Sequence, residues 1–224
     1  MSLEGRVPAR VGDLVSVAPL RPVVRLADLD DGRLAPELGV AFVLTEDAAH
    51  ALGTLFRDIR AGRGRGYFLE GHYGAGKSHL MAMVHGLLTG MFTPQGIGAA
   101  LGRPGRGADP VPDLALPAAR PLPVAVSLVD HAAREPLEGI VLAACRAAVG
   151  GEPASGGGRR AAFEALDLAV RARGRTGMVL CIDELTEFLR SKADGRAFAE
   201  DVRFLQFLGE WAQTAPAWIV LGIQ

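Results

Sequence analysis

Lysine is scarce in this chain: the 224 residues include two, Lys77 and Lys192, against twenty-two arginines. Lys77 follows a run of glycines in "EGHYGAGKSHLM", residues 70–81. Gly71, four intervening residues (His72, Tyr73, Gly74, Ala75), Gly76, Lys77 and Ser78 match the spacing G-x-x-x-x-G-K-[ST]. Each residue type has a chemical reason to stand there. Glycines let successive backbone N–H groups turn inward towards an anion. A helix beginning at the end of the loop adds the partial positive charge of its N-terminus. The Lys77 ammonium can reach the β- and γ-phosphates of a nucleotide as a point charge, where a planar arginine fork would fit differently. The Ser78 hydroxyl suits Mg²⁺. His72 and Tyr73 inside the loop either flank the nucleotide or face water, and His79 follows Ser78 on the helix. The competing reading is a glycine-rich turn that caps a helix and binds nothing.

A second group of residues bears on the same chemistry. Met178, Val179, Leu180, Cys181 and Ile182 form an unbroken apolar run, as expected of a strand buried on both faces, and run straight into Asp183 and Glu184. One carboxylate at such a strand end can hold Mg²⁺, and the next can orient and activate a water. Alone, this pattern also fits an ordinary strand leading into a solvated helix start. Joined to the phosphate loop upstream, it points to hydrolysis. Two adjacent acids favour a hydrolase over a kinase, because phosphoryl transfer to another substrate needs no activated water.

These residues need elements to position them. Residues 66–70 read as a short strand before the loop. Leu80, Met81, Met83, Val84, Leu87 and Leu88 then recur with helical spacing, and Gly90 is the expected stop. "PVAVSLV" at 123–129 and "AWIVLGIQ" at the end are further strands; helices are expected at 136–149, 160–173 and 197–213. The last should bury Phe198, Val202, Leu205 and Leu208, with Trp211 beside them. Thr45 is a good N-cap for a helix through about Arg60, with Glu46 and Asp47 in its first turn. Residues 1–45 form a lead-in, with a short strand at Val23-Val24 and a turn at 28–32, and 46–224 form the core. Within the core, 91–121 is a Gly- and Pro-rich mobile insertion and 150–158 a glycine-rich linker. Strands alternating with helices predict an α/β fold with a mostly parallel sheet between two helical layers. Ligands of such sheets sit at the carboxyl ends of the strands, where the 71–78 loop and Asp183 both fall.

Bulk properties exclude several classes. Hydrophobic residues make up 49% of the chain, which argues against disorder. A net charge of −1 gives no global attraction to nucleic acid. Two cysteines, Cys145 and Cys181, are too few for a disulfide scaffold. The start lacks an apolar signal core and no run is long enough to span a bilayer, so a soluble, cytoplasmic protein without membrane contact is expected. Arg57, Arg60, Arg63 and Arg65 can meet nucleic acid or a partner's phosphate, although a solvated helix end explains them more simply. His79 and His85 fall on different helix faces, which argues against a metal site. Ser127 or Asp130, ending the second strand, could tether Glu184 in an inactive pose, although ordinary turn chemistry explains them more simply.

GHYGAGKSH followed by LCIDE resembles the additional-strand, catalytic-glutamate branch of P-loop ATPases, which includes the AAA+ proteins. The resemblance implies a P-loop three-layer sandwich, with Lys77 and Ser78 on phosphate and Mg²⁺, Asp183 on Mg²⁺ and Glu184 as the base. It also implies a strand between the loop strand and the Asp-Glu strand, for which 123–129 is the candidate, and a γ-phosphate sensor ending the fourth strand, where Gln224 stands instead of the commoner Asn or Thr. A narrower resemblance, carried by "VGDLVSVAPLRPVVRLAD", "FVLTEDAAHAL" and "GHYGAGKSHLM", is to the N-terminal part of the large ATPases of BREX and Pgl phage-defence systems. Those proteins are longer. A fifth core strand, a helical lid and an arginine finger are not readable here, so slow turnover is expected unless a neighbour or further segments supply them. The expected function is ATP and ADP binding with Mg²⁺-dependent hydrolysis, as the motor or switch of a larger assembly with protein partners or copies of itself. The alternative is a nucleotide-gated binding module. Adenine over guanine follows from the resemblance and from the lack of an N-K-x-D motif.

Overall fold

Thr45 caps the helix α1 (Glu46–Arg60): its side chain accepts from the Ala48 N–H, and Glu46 and Asp47 occupy the first turn. Arg57 and Arg60 close it, favourably placed against its C-terminal carbonyls. Strand β1 (Arg65–Glu70) follows, then α2 (Lys77–Thr89), which stops at Gly90. The remaining elements are β2 (Leu122–Ser127), α3 (Leu137–Ala148), α4 (Arg159–Ala172), β3 (Met178–Asp183), α5 (Leu185–Arg190), α6 (Gly195–Thr214) and β4 (Ala217–Ile223). This computed structural model describes residues 26, 29, 42, 44–93, 114–151 and 157–224. The Val23-Val24 strand, all but Leu29 of the 28–32 turn, most of the 91–121 insertion and the centre of the 150–158 linker lie outside the described residues.

The architecture is α/β, and the described residues form a four-stranded, all-parallel sheet in the order β1-β4-β3-β2. The order corrects one expectation. The strand between β1 and β3 is β4, not the 123–129 segment, which ends at Ser127 and lies at the edge as β2. The physical reason is visible in the residues. β4 is apolar throughout and buried from Ala217 to Gly222, as a central strand must be. β2 carries Pro123, which lacks a ladder donor and belongs on an edge.

Each face of the sheet has its own core. Val179, Cys181, Trp218 and Val220 pack with α1 and α2 on one side. Leu180, Ile182, Ile219 and Leu221 pack with α3, α4 and α6 on the other. The side chains of β3 alternate between these two cores, so its unbroken apolar run is buried on both faces. Cys181 and Cys145 sit in opposite cores, both free, and burial pushes each thiol up to about 12.

α6 also differs from expectation. Its buried residues are Asp201, Phe204, Leu208, Trp211 and Ala212, while Phe198 and Val202 stay exposed. Leu208 and Trp211 are buried as expected, but in the first half of the helix the buried positions are Asp201 and Phe204 rather than Phe198, Val202 and Leu205. Asp201 is drawn inside because its Oδ1 accepts the Leu137 N–H at 2.9 Å and Lys192 Nζ lies 2.7 Å from its Oδ2. Among the described residues, no helix is long and apolar enough to cross a membrane.

Candidate functional site

Because all four strands run parallel, their carboxyl ends lie at one end of the sheet. The 71–76 loop leaves β1 there, and Asp183 and Gln224 end β3 and follow β4. Gly74 (φ 78°) and Gly76 (φ 85°) take left-handed conformations that a side chain would strain. They turn the chain so that α2 begins directly behind the loop.

The start of α2 contrasts with that of α1. Gly76 provides no side-chain cap, and no acidic residue lies in the first turn. The leading N–H groups of any helix lack intrahelical acceptors, so this end presents unneutralised donors and partial positive charge. His72, Tyr73, Gly74, Ala75 and Gly76 are exposed; Gly71, Lys77, Ser78 and His79 are half-buried. The Lys77 ammonium donates to the loop's own carbonyls, Gly71 O at 2.6 Å and His72 O at 3.1 Å. Those contacts hold the loop closed on itself. The His79 ring packs edge-on against Phe42, 5.0 Å between centroids, so it is tied into the α1 side of the molecule.

Asp183 is 4% exposed, and among the described residues no cation pairs with it. A buried carboxylate without a counter-charge is expensive, and a divalent ion would satisfy it. One of its oxygens, Oδ1, accepts the Glu184 N–H at 2.9 Å. Among the described residues no three His, Cys, Asp or Glu side chains cluster as a metal cage.

Glu184 has φ 60° and ψ 31°, the one non-glycine residue with positive φ among those described. Such a backbone costs on the order of 1–2 kcal/mol and tends to mark functional sites. Burial raises the Glu184 carboxyl pKa, and the Asp183 and Glu187 charges add to the rise; Lys77 and Gln224 pull the other way. The carboxylate's hydrogen-bond partner is Gln224, whose Nε2 donates to Oε2 at 3.4 Å, rather than Ser127 or Asp130.

Comparison with protein-family models, curated proteins and solved structures gave no match.

Two residues at this site were not singled out from the sequence. Gly222 on β4 faces Asp183 and α2: a Cβ there would lie 2.6 Å from Asp183 Oδ1 and 2.8 Å from Met81 Cε. A single glycine inside an apolar strand was the available signal, since it marks close approach. Thr186 accepts the Gln224 backbone N–H at 3.1 Å through its hydroxyl. No sequence pattern announces that contact, which spans two elements far apart in the chain.

Proposed function

We propose that the chain binds ATP on residues 71–78 and hydrolyses its β–γ bond by water attack, as a P-loop ATPase of the additional-strand, catalytic-glutamate branch. The observation that carries this reading is the meeting of the two groups over Gly222. There the Asp183 carboxylate and Met81, one turn beyond Lys77, approach the same backbone position. A strand between β1 and β3 is the order that branch implies, which supports the reading further.

In this account the amides of the loop and of the α2 N-terminus take the phosphates, and Lys77 leaves the Gly71 and His72 carbonyls to meet the β/γ oxygens. Ser78 and Asp183 are the residues that would hold Mg²⁺, which would supply charge neutralisation at the phosphates. Glu184 accepts the proton of the attacking water. Gln224, whose side chain donates to Glu184, takes the role of γ-phosphate sensor in this account. The larger role is as motor or switch of an assembly like the phage-defence ATPases, with protein partners or further copies of the chain. A second reading, a nucleotide-gated binding module, is favoured by the self-closed loop, which nucleotide has to open.

Phosphate release from ATP·Mg²⁺ decides between them. Glu184→Gln keeps shape and hydrogen bonding but removes the base, so ATP still binds while hydrolysis falls by about 10²-fold or more. Unchanged turnover means that Glu184 is not the base. A wild-type chain that binds ATP without hydrolysing it supports the gated module.

A further inference from the structure

We infer that Thr186 is a positioning residue for hydrolysis: its hydroxyl fixes the exit of β4 so that the Gln224 amide meets the Glu184 carboxylate. The inference rests on the hydrolytic reading of the site and adds a residue to it. Three contacts carry it. The Gln224 N–H donates to Thr186 Oγ1 at 3.1 Å. From that anchored backbone, Gln224 Nε2 reaches Glu184 Oε2 at 3.4 Å. Glu184 in turn sits on the left-handed turn between β3 and α5, its N–H held by Asp183 Oδ1 at 2.9 Å.

The arrangement closes a ring from Glu184 through the first turn of α5 to Thr186, across to Gln224 and back to Glu184. A side chain with several rotatable bonds on a left-handed backbone gains little orientation from its own turn. Its direction has to come from a neighbour whose own backbone is fixed. Gln224 lies just beyond the end of β4, after Ile223, the last residue in register with β1. Without the Thr186 hydroxyl its N–H would lose the partner that holds it to α5. The Gln224 side chain would then swing with its backbone, and Glu184 would lose the donor that sets its angle. Displacement of a catalytic group by about 1 Å can cost as much as 10²-fold in rate. Thr186 has no described contact with the 71–78 loop, so nucleotide affinity should not follow.

The test uses Thr186→Val, which keeps the shape and removes the hydroxyl, and Thr186→Ser, which restores it. In nucleotide-free protein, Thr186→Val should strip the Gln224 backbone N–H of its exchange protection. It should also move the Gln224 side-chain amide resonance in the direction that Glu184→Ala moves it. With ATP·Mg²⁺, Thr186→Val should lower kcat about ten- to hundredfold while ATP affinity stays within about threefold; Thr186→Ser should stay near wild type in every readout. A purely structural role would lower stability without separating kcat from binding. A Gln224 side-chain amide that does not respond to Thr186→Val, in a protein that hydrolyses ATP, overturns the role of Thr186 alone. A wild-type chain without turnover overturns the hydrolytic reading, and this role with it.

Discussion

Gly222 and Asp183 face each other on adjacent strands so closely that a methyl group on the glycine would lie 2.6 Å from Asp183 Oδ1. Gly222→Ala therefore has to push the carboxylate aside, because Met81 Cε, the other neighbour at 2.8 Å, sits at the end of a flexible side chain and can yield. We expect Mg²⁺-dependent ATP affinity to fall about tenfold, the usual scale for disturbing a metal ligand's surroundings. Nucleotide binding in the absence of Mg²⁺ should change little. Isothermal titration with and without the ion checks this, and equal losses in both conditions would mean that the glycine serves packing only.

A pH dependence follows from Glu184. Burial first, and then the Asp183 and Glu187 charges, raise its carboxyl above the ordinary glutamate value, while Lys77 and Gln224 offset part of the rise. If Glu184 is the base, as proposed, it works ionised, and kcat should climb with pH through a midpoint above the ordinary glutamate range. Removing the Gln224 donor with Gln224→Ala should move that midpoint higher still. The sign for stability is the reverse: the contribution of protonated Glu184 is present below the ordinary carboxylate pKa and is lost as pH rises through the raised one. A kcat–pH profile whose acid limb sits at or below the ordinary value contradicts this.

The side chain of Lys192, the second lysine, is 1% exposed and faces a buried Asp201 at 2.7 Å, a charge contact outside hydrogen-bond geometry. It donates to Glu135 O at 2.6 Å and lies 4.3 Å from the Phe188 ring. Lys192→Met leaves the Asp201 charge buried and unpaired, at a cost of about 3–5 kcal/mol. Adding Asp201→Asn to Lys192→Met should recover part of that, since the neutral amide keeps an oxygen for the Leu137 N–H. Urea unfolding measures both, and a single variant within about 1 kcal/mol of wild type, a small change for any buried charge, removes the claim.

Much of the fold was legible because its strands are apolar runs bounded by glycine, proline or charge. Residues 66–70 and 217–223 match β1 and β4 to within a residue. Strand order was less legible: it depends on which segment can be buried on both faces, and the Pro123 signal for an edge was there to be weighed. The α6 face was misread because counting apolar residues rejects Asp201, whose burial depends on a lysine and a helix N-terminus elsewhere in the chain. The same limit applies at the site. The loop and the acidic pair are local patterns. Gly222 under Asp183, Gln224 on Glu184 and Thr186 under Gln224 are contacts between distant segments, which local spacing does not encode.

The central claim is that residues 71–78 hold the phosphates of ATP, and equilibrium binding of ATP·Mg²⁺ to the wild-type chain and to Lys77→Ala tests it most directly. Among the described residues the hydrogen bonds of the Lys77 ammonium go to carbonyls of its own loop, Gly71 O and His72 O, so the substitution breaks no hydrogen bond to another element. The account predicts measurable binding by the wild type and its loss in Lys77→Ala, with the variant still folded by circular dichroism. Binding in Lys77→Ala within about threefold of wild type, a difference of under about 1 kcal/mol, would contradict it.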